Sequence, residues 1–119
     1  MGLCDFENKD FCDWTNVDNI DDFDWLIKTG PLDIPGTGPS VDQTTGTSDG
    51  TFIYIRGTSP ALEGWKARLY SEPILDTRPG CLYFWFHLYG SVRILFLPLL
   101  IHFINYFSKL GHWYSFNKC

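Results

Sequence analysis

Carboxylates are the first residues in this chain that could do chemistry. Of its fourteen acids, eight fall between Asp5 and Asp24, and none follows Asp76. Hard cations take several oxygen ligands, mostly carboxylates and carbonyls. Asp5 and Glu7 alternate along an expected strand, which places both on one face. Asp42, in the loop from Thr37 to Asp42, is placed to join them. These three are therefore the candidate ligands of a structural Ca²⁺; no pattern requires any other cofactor. The D-x-D-x-D-G run of an EF-hand is missing. A solvated acidic face accounts for the same residues equally well.

Cysteines come second. Cys4, Cys12, Cys81 and Cys119 make an even number in a small chain, which points to disulfides and an oxidising compartment. No C-x-x-C occurs, which argues against zinc and thioredoxin-type chemistry. Free thiols in a cytosolic domain are the plain alternative. Met1-Gly2-Leu3 has neither the basic n-region nor the apolar h-region of a leader. Secretion therefore calls for a leader outside this sequence or for a longer parent chain; failing both, the disulfide reading is wrong.

Catalytic patterns are missing. There is no H-E-x-x-H, G-x-S-x-G, Walker loop or dinucleotide fingerprint. Gly36-Thr37-Gly38 lacks the lysine and the strand-to-helix setting of a phosphate loop. His87 falls on the outer face of an expected strand, and His102 and His112 fall near the C-terminus. The net charge is −5, and its acidic N-terminal half opposes nucleic-acid binding, which needs clustered Lys and Arg. The reading is of a non-enzymatic chain.

The elements that must position these residues are strands. Eleven glycines and seven prolines suit strands and turns better than helices. Thr51 to Arg56, TFIYIR, is β-branched and aromatic and predicts a strand. Ala67 to Ser71 predicts another, ended near Pro73. Cys81 to Tyr89 is the clearest. Leu82, Phe84, Phe86 and Leu88 share its core-directed face, while Tyr83, Trp85, His87 and Tyr89 share the other. Those four, aromatic with polar tips, form the candidate contact surface. Phe23 and Trp25 are expected in the core. Lys28 to Gly50 is rich in turn signals and reads as loop. Residues 92–107 are almost wholly apolar but too short and interrupted for a membrane helix of about 20 residues. Their period is neither 2 nor 3.6, so the structure of the tail stays open.

Cys4-Asp5-Phe6-Glu7, Cys12-Asp13-Trp14 and Asp21-Asp22-Phe23-Asp24-Trp25 come first in a longer series. Thr37-Gly38-Pro39-Ser40-Val41-Asp42, Thr45-Gly46 and Gly50 before TFIYI follow. Lys66 to Ser71 and Cys81 to Gly90 complete it. In this order and spacing the series resembles the N-terminal part of a MAM domain, the module of meprins, neuropilins and mu-type receptor tyrosine phosphatases. Asp13 stands where that family usually has glycine, and Gln43 where it has histidine.

The resemblance divides the chain into residues 3–90, a partial MAM-like domain, and 91–119, an apolar tail that does not match. It implies an all-β, antiparallel β-sandwich of jelly-roll type, incomplete in this chain. It also implies that Cys4 pairs with Cys12, and that Cys81 pairs with a late cysteine, a place Cys119 could take. The function it implies is an extracellular adhesion module of a larger membrane-bound or secreted protein, with protein partners and homophilic assembly. Membrane association would come through the parent protein or, less readily, through 92–107. An accessory domain of a secreted metalloprotease and a jelly-roll glycan binder are the alternatives.

Overall fold

A computed structural model describes residues 3–33, 38–56, 65–73, 80–87, 91–97, 100–107 and 113–119. Within them every regular element is a strand, and every ladder is antiparallel. The strands are β1 (Thr15–Asn16), β2 (Leu26–Thr29), β3 (Thr51–Tyr54), β4 (Leu69–Tyr70), β5 (Leu82–His87), β6 (Ser91–Leu97), β7 (Leu100–Phe107) and β8 (Trp113–Lys118). They form four two-stranded ladders: β1 with β4, β2 with β3, β5 with β8, and β6 with β7. The chain is thus all-β and antiparallel.

β3 and β5 form where β-branched and aromatic side chains alternate on a pleated surface. β2 runs into the start of the stretch that reads as loop, at Lys28 and Thr29. Leu26 to Thr29 pairs with β3 from Leu26↔Tyr54 to Thr29↔Thr51, and Gly30 N–H donates to Gly50 O at 3.0 Å just beyond. The two threonine hydroxyls at the ladder end bond each other at 2.8 Å.

The core is small. Trp25, Ala67 and Leu69 are buried together, with Phe11, Trp14, Phe23, Ile53 and Ile55 packed against them. Phe23 and Trp25 are thus core residues, and Phe23 also meets the Trp65 ring at 6.0 Å. Asn16 locks β1 onto this core. Its amide donates to Trp25 O at 3.0 Å, and its Oδ1 accepts from Trp25 N–H at 2.8 Å.

The C-terminal stretch forms strands. β6 and β7 pair antiparallel, with a register shift between Ser91 and Arg93. β8 returns to β5, pairing from Leu82↔Lys118 to His87↔Trp113. Apolar runs of this kind do not reveal their period, because strand and buried helix look alike in them. Among the described residues no helix is long and apolar enough to cross a membrane.

Candidate functional site

Residues 4–14 are a chain of tight turns, not the strand expected for them. Asp5 Oδ1 accepts from Glu7 N–H at 3.1 Å, and Asp10 Oδ1 accepts from Cys12 N–H at 3.0 Å. These Asx-type bonds bend the backbone two residues on. Phe6, Lys9 and Cys12 adopt left-handed conformations, with φ of 64°, 62° and 53°. Each costs roughly 1–2 kcal/mol in a residue with a Cβ, and the Cys4–Cys12 disulfide spans all three. With Phe6 turned this way, Asp5 and Glu7 do not share a strand face. The physical reason is the aspartate side chain, which competes with strand formation for its neighbour's amide.

Glu7 instead reaches inward. Its Oε1 accepts from Thr51 N–H at 2.9 Å, at the start of β3. Its carboxyl also approaches that of Asp42. Asp42 is only 3% exposed. It accepts from Thr45 N–H at 2.9 Å, from the Thr45 hydroxyl, and from Thr47 N–H at 3.4 Å. Burial pushes this carboxyl's pKa up, but the Thr45 hydroxyl, the Thr45 and Thr47 amides and Glu7 outweigh it. The net result lies below the ordinary carboxylate value. Gly50 packs so closely against Asp42 that a methyl there would overlap the carboxylate.

Asp42 is therefore the hub that closes the loop before β3. Of the three candidate cation ligands, Glu7 and Asp42 meet, while Asp5 is engaged with the Glu7 amide. Among the described residues no three Asp, Glu, His or Cys side chains gather as a metal-binding group.

Other acids of the N-terminal run also serve the backbone. Asp22 Oδ2 accepts from Lys66 N–H and Asp21 Oδ2 from Arg68 N–H, both at 2.7 Å. Asp22 N–H returns a bond to Lys66 O at 2.9 Å. The like charges of Asp21 and Asp22, which make a helix unfavourable here, are accommodated because each of the two finds an amide. Beside them, residues 17–19 and 21–24 line an open hollow of about 340 Å³.

The ring-bearing face lies on β5. Tyr83 is 53% and Trp85 42% exposed, with their rings edge-to-face at 6.0 Å. Leu82, Phe84 and Phe86 point the other way and are half-buried. Phe84 meets Phe116 at 4.9 Å and Phe86 stacks on Tyr114 at 5.5 Å, across the ladder. His87 is half-buried, because Trp113 lies edge-on to it at 5.5 Å. Tyr89 lies outside the described residues. Trp113, which the sequence reading did not single out, ties β8 to the body of the chain. Its indole donates to Val41 O at 2.9 Å and meets buried Phe52 edge-on. No local pattern could have revealed this, since Val41 lies 72 residues away.

Two disulfides, Cys4–Cys12 and Cys81–Cys119, complete the covalent frame. The result is a cross-linked all-β module whose acids mainly hold its own loops. The chain belongs to the MAM family: the profile of the MAM domain, meprin/A5/mu, matches residues 4–100.

MAM domain-containing glycosylphosphatidylinositol anchor protein 2 of Mus musculus is 36% identical over 102 residues, covering 74% of this chain. Zonadhesin of Mus musculus is 37% identical over 105 residues, covering 82%. MAM domain-containing glycosylphosphatidylinositol anchor protein 1 of Gallus gallus is 33% identical over 107 residues, covering 86%. The chain spans only 10%, 2% and 11% of these relatives' own lengths.

Proposed function

We propose that this chain is a non-catalytic, extracellular interaction module of a larger, membrane-anchored or secreted protein. The observation that carries the reading is the MAM match across residues 4–100, shared with relatives named for a glycosylphosphatidylinositol anchor. Two disulfides suit an oxidising compartment. The partner is a protein at the cell surface, and a second copy of the module is the first to test. Exposed Tyr83 and Trp85 supply aromatic area of the kind enriched at protein interfaces. Beads coated with the purified, oxidised chain should aggregate, and Trp85→Ala should weaken the aggregation. Beads that stay dispersed at every density reject homophilic assembly.

A structural Ca²⁺ is proposed separately, with Glu7 and Asp42 as its protein ligands. What supports it is the approach of their two carboxyls, which offer oxygen ligands of the kind a hard cation takes. A bound cation would neutralise the pair and tie the turn of residues 4–12 to β3.

A further inference from the structure

β8 is held at its two ends by different chemistry. At one end the Cys81–Cys119 disulfide adjoins the Leu82↔Lys118 pair, where the ladder begins. At the other end Trp113 bonds Val41 O and meets Phe52. Between these anchors, the side chains described on β5 and β8 are all half-buried or exposed. The buried cluster lies elsewhere, around Trp25, Ala67 and Leu69. A two-stranded ladder that buries so little is marginal in water. Whether it stays closed therefore depends on the covalent link. Both Cys81 and Cys119 are exposed, which gives an external thiolate the access that exchange requires.

We propose that Cys81–Cys119 is a redox-gated latch on β8. A dithiol reductant attacks Sγ of Cys119 as its thiolate, forming a mixed disulfide, and Cys81 leaves as a thiolate that takes up a proton. The reductant's second thiol then displaces Cys119, which leaves and is protonated in turn. The reductant departs as its cyclic disulfide, and two electrons have passed to the protein. β8 then separates from β5, and the edge of Leu82–His87 is left unpaired. The latch does not rest on the interaction reading above.

Hydrogen exchange followed by mass spectrometry tests this on the full chain, with reduction verified by intact mass. Amides of Leu82–His87 and Trp113–Lys118 should lose protection about a hundredfold or more on reduction. Those of β2 and β3 should keep theirs. The Cys81→Ser/Cys119→Ser variant should show the released pattern without reductant, which separates this bond from Cys4–Cys12. Protection of β8 that survives verified reduction overturns the proposal. So does parallel loss across β2 and β3 in the Cys81→Ser/Cys119→Ser variant, which would make the bond a general stabiliser. An oxidised chain with no protection in β8 overturns it as well.

Discussion

Gly50 and Asp42 should behave as one unit, and a double-mutant cycle measures this directly. Asp42 accepts two amide bonds and one hydroxyl bond while almost fully buried. The Thr47 contact is long, so two bonds carry most of the effect. At about 1.5 kcal/mol for each hydrogen bond to a charged group, Asp42→Ala should cost about 3 kcal/mol. Gly50→Ala should cost about the same, because the new methyl displaces the carboxylate from those same donors. Gly50 has no left-handed φ, so the methyl adds no backbone strain. Once Asp42 is alanine, Gly50→Ala has nothing to displace. The double variant should then lose about 3 kcal/mol rather than about 6, a coupling of roughly 3 kcal/mol. Urea denaturation with the disulfides intact, followed by tryptophan fluorescence, reads all four corners. Additivity to within about 0.5 kcal/mol would refute the shared-carboxylate argument.

Three further outcomes are expected. Asp42 has a depressed pKa when folded, so its contribution is complete above its ordinary value of 3.8. It is lost as pH falls through the lower folded value. The melting temperature should thus drop on acidification below pH 3.8, and Asp42→Asn should flatten that drop; equal slopes would refute it. Asn16→Ala breaks both bonds to the Trp25 backbone and should cost about 2–3 kcal/mol. Asn16→Asp, which keeps the acceptor, should cost less in the same denaturation assay. Millimolar Ca²⁺ should raise the melting temperature, with Glu7→Gln removing the rise; an unchanged parent chain rejects the calcium proposal.

The strands most legible in the sequence were those whose side chains alternate. In β5 the exposed Tyr83 and Trp85 and half-buried Phe84 and Phe86 follow the period of two. β3 was legible from its β-branched and aromatic content. Trp25 could be placed in the core because a large apolar ring seldom stays outside it. The acids were harder. Asp5 and Asp10 look like strand or surface residues until their oxygens are seen bonding amides two positions on. Asp42 carried the right chemistry for a cation ligand, yet three of its bonds run to Thr45 and Thr47, close in sequence. Turn patterning around Gly46 could have suggested that closure. The pairing of β5 with β8, and the Trp113 anchor, depend on long-range contacts that no local pattern encodes. Residues 91–97 and 100–107 form β6 and β7, a pairing that weak periodicity did not reveal, because a uniformly apolar run is silent about its partner.

The spacing of the two disulfides sets a schedule for synthesis. Cys4 and Cys12 are 8 residues apart, whereas Cys81 and Cys119 are 38 apart. The first pair can meet almost as soon as it emerges. At ~5–20 residues per second, Cys81 waits about 2–8 s for its partner. Through that interval it is a lone thiol beside an aromatic strand with no neighbour on its β8 side. Early closure of Cys4–Cys12 removes the two thiols that precede Cys81 within these 119 residues. Among these four cysteines, the order of appearance thus favours the second bond to Cys119.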